Sequence, residues 1–237
     1  MELVDSLIQE GWLKTPEIIE AFQRVKRVDF LPEDIKDLAE LNEALPIGFG
    51  QTISQPLVVA FMLELLSPKE GEKILDAGSG SGWTAALLGE IVGDKGKVIA
   101  IEVVPELKEF GEKNMAKYNF TEKGIVEFIC ADGSKGYKEE APFDKILASA
   151  SIASAKGRLA ELRSSRALRS AWADESLLSA NSARNLPKAW KEQLKIGGKI
   201  VTPIENSIWL FDKKSENEFQ EVEHPGFVFV PLVTAAR

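Results

Sequence analysis

The feature of this chain that most constrains its fold is a glycine-rich turn between two apolar segments. Lys73 to Ala77 has the pattern of a buried strand, and Trp83 to Val92 has the pattern of a helix. Between them lies Asp76-Ala-Gly-Ser-Gly-Ser-Gly82. Glycines allow the backbone to turn tightly and to approach a ligand, and a helix amino terminus presents free N–H groups. This strand–turn–helix unit predicts a ligand site at the edge of an α/β sheet.

The remaining pattern also alternates between strands and helices, after a helical first 45 residues. A short helix is predicted at Asp34 to Leu45, and an apolar helix at Val58 to Leu66. Alternation of this kind predicts a doubly wound, mostly parallel sheet with helices on both faces. Ser207 to Phe211 and Gly226 to Pro231 predict a closing antiparallel pair. Further strands are predicted at 97–102, 125–130, 143–149 and 199–204, and further helices at 105–118 and 187–194.

Acidic residues follow the predicted strands. Asp76 lies just before the glycines, Glu102 ends the second strand, and Asp132-Gly133 follows the third. The carboxyl ends of parallel strands form the edge at which open α/β sheets bind ligands. The alternatives are a surface acid for Glu102 and an ordinary turn for Asp132-Gly133, because Asp-Gly is a common turn pair.

A second motif lies about 20 residues before the glycine turn. It is Gly50-Gln-Thr-Ile-Ser-Gln-Pro56, and with the turn it resembles the protein-L-isoaspartate O-methyltransferase family. The resemblance covers residues 1 to about 150 and 186 to 232. It implies the Rossmann-like fold of a class I S-adenosylmethionine-dependent methyltransferase. Further matching segments are Val104 to Leu107, Ala141 to Ile146, Gln193 to Pro203 and Phe227 to Leu232.

The resemblance also implies a cofactor site for S-adenosyl-L-methionine. Asp76 would face the cationic methionine end of the cofactor, and Glu102 would accept hydrogen bonds from the ribose hydroxyls. Asp132 and Gly133 would contact the adenine amino group. The three glycines that shape the turn are Gly78, Gly80 and Gly82.

The implied acceptor is the free carboxylate of an L-isoaspartyl residue in a damaged protein or peptide. This carboxylate is already ionised at pH 7, so no general base is needed. The family's proposed catalytic residue corresponds to Ser54, whose hydroxyl would orient the carboxylate, and Thr52 would help to close the site. The alternative for this segment is a capping loop before Pro56. Some family members have histidines shortly after this serine. This chain has Leu57-Val58-Val59 at that place instead, and its single histidine is His224.

Residues 151–186 have a different composition from the rest of the chain. They hold 16 Ala plus Ser and five of the eight arginines. Their six basic and three acidic residues give this segment a charge of +3. Since the whole chain has a net charge of −8, the rest of the chain has a net charge of −11. We predict a helical insertion within a single domain, dividing the cofactor-binding sheet into 57–150 and 186–237 after an N-terminal part at 1–56. A lid, a peptide contact, self-association and a merely tolerated loop are the alternatives for its role.

The overall charge and hydropathy exclude further classes of protein. A net charge of −8 argues against a protein that coats nucleic acid or an anionic membrane. No apolar run approaches the ~20 residues of a membrane span, the amino terminus is no signal peptide, and a cytoplasmic location is predicted. The single cysteine, Cys130, excludes an internal disulfide, and a buried strand position is expected for it. No metal is expected. The alternatives are an RNA methyltransferase with the same turn, and a non-catalytic or engineered variant of the scaffold.

Overall fold

A computed structural model describes residues 2–150 and 186–228 of the chain. The predicted helical insertion therefore lies outside the described residues, apart from Leu186. The helices are α1 Leu3–Gln9, α2 Pro16–Arg24, α3 Pro56–Leu66, α4 Trp83–Val92, α5 Pro105–Met115 and α6 Lys188–Gln193. The strands are β1 Leu45–Gly48, β2 Gln51–Ile53, β3 Lys73–Ala77, β4 Lys97–Glu102, β5 Val126–Cys130, β6 Phe143–Ala148, β7 Leu194–Ile204, β8 Ser207–Lys213 and β9 Phe219–Pro225.

Seven of these strands form one sheet in the order β5-β4-β3-β6-β7-β8-β9. The pairings from β5 to β7 are parallel, and β8 and β9 are added antiparallel. The chain builds outward from β3 through β4 to β5, and then returns to place β6 on the other side of β3. This reversal opens a crevice at the carboxyl ends of β3 and β6, which is where such sheets bind ligands. The predicted doubly wound sheet with a closing antiparallel pair is confirmed.

Both faces of the central strands β3, β4 and β6 are buried, and this explains their largely apolar sequences. On β3, Ile74 packs into the cluster that contains α1 to α5, and Leu75 packs into the cluster on the opposite face. On β4, Val98 and Ile99 divide in the same way. The second cluster is covered by α6, whose Trp190 is fully buried. The sheet is thus held rigidly between two apolar layers, and its carboxyl edge is a fixed platform.

The amino-terminal helices are joined to the domain by side-chain hydrogen bonds. The Thr15-Pro16-Glu17 signal predicts the start of α2 correctly, but the Thr15 hydroxyl does not cap its own helix. It donates instead to Glu64 on α3 at 2.7 Å, and Glu64 also accepts the backbone N–H groups of Lys14 and Thr15 at 2.7 and 2.8 Å. One carboxylate therefore fixes the start of α2 against α3.

Four local predictions are wrong. The helix predicted at 34–45 is a 3₁₀ helix, Glu33–Leu38, and Leu45 begins β1. The strand that pairs with β8 on its outer side is Phe219–Pro225, whereas 226–231 was predicted; residues 226–228 are outside any strand, and 229–231 lie outside the described residues. The strand predicted from Lys199 begins at Leu194, directly after α6. Cys130 is exposed, because it is the last residue of β5 at the sheet edge.

Candidate active site and cofactor cleft

A cleft of about 630 Å³, counted out to its open mouth, lies at the carboxyl ends of β3, β4 and β6. The glycine turn lines one part of it, and strand β2 of the β1–β2 hairpin with the following Ser54 lines another. The two motifs that were recognised separately in the sequence therefore face the same space. The residues that line the cleft are Gln51, Thr52, Ile53, Ser54, Gly78, Ser79, Gly80, Ser81, Trp83, Thr84, Ile101, Glu102, Val103, Gly133, Ser149 and Ala150.

The three glycines of the turn all have positive φ, at +82° for Gly78, +52° for Gly80 and +88° for Gly82. Gly78 and Gly80 line the cleft. Gly82 has a different role, because a Cβ there would lie 3.1 Å from the Phe128 ring and 3.2 Å from the Gly111 carbonyl oxygen. It allows α4 to pack closely against α5 and β5, and so only two of the three predicted glycines border the ligand space.

Asp76 is a fully buried carboxylate near the end of β3. Neither of its carboxylate oxygens has a hydrogen-bond partner among the described residues. Burial, and after it the negative charge of Glu102, raises the pKa of Asp76 to about 7. A buried, unpartnered acid is costly for a folded protein, and a cationic ligand group would relieve that cost.

Glu102 lies at the end of β4 and borders the cleft. Its Oε2 accepts the Gly80 N–H at 2.8 Å, and its Oε1 accepts the N–H groups of Val103 and Val104 at 2.8 and 3.0 Å. The carboxylate therefore joins the glycine turn to the segment after β4. Oε2 accepts one protein hydrogen bond and retains a lone pair that a hydroxyl donor in the cleft can use.

Asp132 and Gly133 follow β5. The Asp132 Oδ1 accepts the N–H of Ser134 at 3.0 Å and its hydroxyl at 2.7 Å. The Gly133 carbonyl accepts the indole N–H of Trp190 at 2.8 Å, which ties the turn to α6. Gly133 borders the cleft and Asp132 is buried behind it. The turn alternative thus describes the local geometry of Asp132, and the predicted adenine contact stays a prediction.

Thr52 and Ser54 are presented by the β1–β2 hairpin, which sequence reasoning had taken for a loop. Thr52 lies in β2, opposite Pro46, and Ser54 follows that strand. The turn of the hairpin is Gly48-Phe49-Gly50, and all three residues have positive φ. Ile47 of β1 packs against the glycine turn, since its Cδ1 lies 3.3 Å from where a Cβ of Gly80 would be. The hairpin thereby brings both hydroxyl residues into the cleft.

Sequence reasoning missed three contributors to the wall of the cleft. Arg27 donates to the Ser54 carbonyl at 3.3 Å, and Asn42 accepts the Leu57 N–H at 3.0 Å. Trp83 begins α4, lines the cleft and packs edge-on against Phe22 at 5.6 Å between ring centroids. One signal was available for Arg27: outside 151–186 the lysine-rich chain has arginine only at positions 24, 27 and 237.

The donor and acceptor set of the cleft fits a cationic ligand that carries hydroxyl groups. Glu102 supplies a free lone pair at the cleft. Asp76 does not line the cleft itself, but it holds an unpartnered buried carboxylate two positions before Gly78, which does. The Ser79 hydroxyl and the Trp83 indole N–H are further buried polar groups that find no hydrogen-bond partner in the part of the chain that the structure describes. Within residues 2–150 and 186–228 no cluster of histidine, cysteine or acidic side chains could hold a metal ion. In the same part of the chain, no helix has the length and apolar content required to cross a membrane.

A family model matches most of the chain. It describes protein-L-isoaspartate(D-aspartate) O-methyltransferase and covers residues 1–159 and 173–237. The 13 residues that it leaves out lie inside the predicted insertion and occupy about a third of it. A protein-L-isoaspartate O-methyltransferase from Methanopyrus kandleri is 37% identical over 235 residues, which are 98% of this chain and 89% of the relative. A second enzyme of that name, from Archaeoglobus fulgidus, is 38% identical over 218 residues, or 91% and 84% of the two chains.

Solved structures have the same fold. A structure described as protein-L-isoaspartate O-methyltransferase matches with a TM-score of 0.76 at 23% identity, over 97% of this chain and 64% of that one. The present chain thus spans about two thirds of that solved chain. A Plasmodium falciparum structure, described as a complex of this kind of methyltransferase with S-adenosyl-L-homocysteine, matches with a TM-score of 0.74 at 20% identity. That match covers 98% of this chain and 96% of the other.

Proposed function

The chain belongs to the protein-L-isoaspartate O-methyltransferase family, and from this premise we propose its reaction. It transfers a methyl group from S-adenosyl-L-methionine to the free carboxylate of L-isoaspartyl residues in damaged proteins or peptides. The observation that carries the proposal is the shared cleft. Ser54 and Thr52 line the same cavity as the glycine turn and Glu102, so an acceptor and a cofactor can meet there.

The residues that would hold the cofactor are those that the family resemblance implies, and Gly78, Gly80, Glu102 and Gly133 among them line the cleft. Asp76 would bind the cationic methionine end, directly or through water, and Glu102 would accept the ribose hydroxyls. Gly78 and Gly80 allow the backbone to approach the ligand, and Asp132 with Gly133 would border the adenine. The cofactor supplies an electrophilic methyl group on a sulfonium. Every other requirement of the reaction falls to the protein as alignment and exclusion of water.

The acceptor needs no base from the protein. A carboxylate of ordinary pKa is ionised at pH 7 and carries its own nucleophilic oxygen. No histidine is among the residues that line the cleft; His224 lies on β9, where its ring packs edge-on against Phe61 at 5.1 Å. The hydroxyl of Ser54, which lines the cleft, would donate to the carboxylate and hold one oxygen in line. This division of labour fits a cleft whose lining is rich in hydroxyl groups, those of Thr52, Ser54, Ser79, Ser81, Thr84 and Ser149.

The proposal is tested by methyl transfer from labelled S-adenosyl-L-methionine to an isoaspartyl peptide and to its ordinary aspartyl twin. We expect base-labile label on the isoaspartyl peptide alone. Equal labelling of both peptides would refute the assigned specificity. Transfer to RNA without transfer to either peptide would establish the RNA methyltransferase alternative instead.

The role of Ser54 is tested with Ser54→Ala, which removes one hydrogen bond to a charged acceptor. We expect turnover to fall about 10- to 100-fold, the equivalent of about 1.5–3 kcal/mol, with cofactor affinity unchanged. Ser6→Ala is the matched control, because the Ser6 hydroxyl donates to Glu10 at 3.0 Å on the exposed surface of α1, away from the cleft. Full turnover by Ser54→Ala would show that the Ser54 hydroxyl does not orient the acceptor.

A further inference from the structure

Arg27 is a buried cation whose hydrogen bonds all go to backbone carbonyl groups. It is 5% exposed and lies in the 3₁₀ turn Arg27–Phe30. Within the described residues it forms no ion pair. Its four hydrogen bonds run from Nη1 to the carbonyl oxygens of Ala39 and Leu41, at 3.1 and 2.9 Å, and from Nη2 to those of Glu43 and Ser54, at 2.7 and 3.3 Å.

The face of the guanidinium is also in contact. Its central carbon lies 5.4 Å from the centroid of the Trp83 ring, within cation–π distance. Trp83 and Ser54 both line the cleft in which the proposed reaction takes place. Arg27 therefore touches three separate parts of the chain behind the cleft: the 39–43 segment, the Ser54 segment and the start of α4.

The shape of the guanidinium explains why an arginine stands here. Its planar fork can reach several carbonyl groups in fixed directions, whereas an ammonium group offers three donors around one point. Burial lowers the pKa of Arg27 to about 10, partly offset by the charge of Glu40, so the group stays charged at neutral pH. A charged donor shared among neutral carbonyls makes stronger hydrogen bonds than a neutral donor does.

We infer that Arg27 is a positioning residue for the methyl acceptor: by holding the Ser54 carbonyl, it fixes the backbone that aims the Ser54 hydroxyl into the cleft. This inference rests on the proposed function. Ser54 lies between β2 and α3 and belongs to neither, so no regular backbone ladder holds it. The alignment of an acceptor oxygen is sensitive to shifts of about 1 Å, which can cost about 100-fold in rate. Arg27 supplies the rigidity that the local backbone lacks.

The experiment compares Arg27→Lys with wild type for kcat and KM on the isoaspartyl peptide, with calorimetric affinity for S-adenosyl-L-homocysteine and with thermal unfolding. We expect kcat to fall at least tenfold, while the affinity for S-adenosyl-L-homocysteine stays within twofold. Tyr118→Phe is the control for lost stability alone. Its hydroxyl ties the residues on both sides of Arg27, donating to Asp29 at 2.7 Å and accepting the Lys26 N–H at 2.8 Å. We expect Tyr118→Phe to unfold at lower temperature with kcat unchanged.

Each result decides the matter. If Arg27→Lys unfolds at lower temperature but keeps its kcat, Arg27 is a structural cross-link and the inference is wrong. A loss confined to cofactor affinity, or an equal loss of kcat in Tyr118→Phe, overturns it as well. Should the lysine variant not fold, Arg27→Gln, which keeps two planar donors, is measured by the same criteria. An inactive wild type would sink the proposed function itself, whereas an active wild type with an equally active Arg27 variant sinks only this inference.

Discussion

At the amino ends of the parallel strands the charged side chains, lysines above all, have partners, whereas at the carboxyl ends stand carboxylates, of which Asp76 has no partner within the described residues. Lys73 and Lys97, paired in register, both bond Glu140, at 2.9 and 2.5 Å. Lys145 bonds Glu72 at 3.1 Å and the Ser67 carbonyl. The two edges of the sheet therefore differ in that the charges at the amino edge are paired, whereas the buried carboxylate of Asp76 at the carboxyl edge is not.

The difference separates stability from ligand binding. Paired charges at the amino edge cost little and fix the strand starts against the end of α3. The unpartnered carboxylate at the other edge opposes folding of the ligand-free protein, and a cationic ligand removes that opposition by binding the folded state. Mutations at the amino edge should therefore lower the stability of the protein and leave ligand affinity unchanged. Removal of the unpartnered carboxylate at the carboxyl edge should lower ligand affinity and raise the stability of the ligand-free protein.

The largest expected effect is that of Asp76→Asn on stability. The pKa of Asp76 is raised from 3.8 to about 7 in the folded protein. The unfolded chain therefore loses this proton first, and stability falls as the pH rises from about 4 to about 7 and stays low above. About three pH units correspond to about 4 kcal/mol as an upper limit. At pH 8 the ligand-free variant should be more stable than wild type by up to that amount, and near pH 4 by nothing.

Urea unfolding of both proteins between pH 4 and pH 8 measures this difference directly, because the other titrating groups cancel. Calorimetry at pH 8 should show that the variant binds S-adenosyl-L-methionine more weakly. A stability difference that does not change with pH would mean that Asp76 is ionised or neutral alike in both states, and the contrast between the two edges would fail.

Glu102→Ala should have the next largest effect, on affinity. It removes the acceptor proposed for the ribose and weakens cofactor binding by about 1.5–3 kcal/mol, or roughly 10- to 100-fold. It also removes the negative charge that helps to raise the pKa of Asp76, so that pKa should fall. Glu106→Ala, an exposed acid in the first turn of α5, is the control. Unchanged affinity in Glu102→Ala would assign the ribose to another residue.

Lys145→Met tests the amino edge. Lys145 is 6% exposed, and its loss leaves Glu72 and the Ser67 carbonyl without a buried donor. We expect a loss of about 1–3 kcal/mol in unfolding free energy, with unchanged affinity for S-adenosyl-L-methionine. Weakened cofactor binding in this variant would show that the two edges are coupled and would end the separation between them.

The sequence predicted the carboxyl edge better than most other parts of the fold, and for a physical reason. The positions of Asp76, Glu102 and Asp132 follow from one rule, that parallel strands end at a common edge, together with a glycine pattern that is local. Each of these signals is a short motif of neighbouring residues, so it can be recognised without knowledge of the tertiary structure. The edge strand β9 was misplaced because its exposed faces, Phe219–Pro225, carry no apolar alternation to reveal it.

Contacts between distant segments could not be predicted. Arg27 reaches the Ser54 carbonyl across 27 positions, Glu64 caps α2 across 49, and Trp190 bonds the Gly133 carbonyl across 57. Each joins a side chain to backbone atoms, which every residue has, so the partner leaves no trace in the sequence. The β1–β2 hairpin is a different case. Its two glycines, Gly48 and Gly50, are typical of positions with positive φ, and they could have predicted a tight turn between β1 and β2.

The smallest expected effect is that of Lys95→Met on stability. It tests whether the stabilisation by an ion pair at the amino edge depends on the burial of the pair, since the distance between the charged atoms is nearly the same in the two pairs compared. Lys95 and Glu70 lie 3.0 Å apart, close to the 3.1 Å of Lys145 and Glu72, but their side chains are 79% and 67% exposed against 8% and 20%. Water screens the exposed pair and competes for both groups, so Lys95→Met should change the unfolding free energy by less than about 0.5 kcal/mol. The same urea unfolding measures both methionine variants. If Lys95→Met costs as much as Lys145→Met, the amino edge is stabilised by surface charge and not by buried, fully bonded lysines.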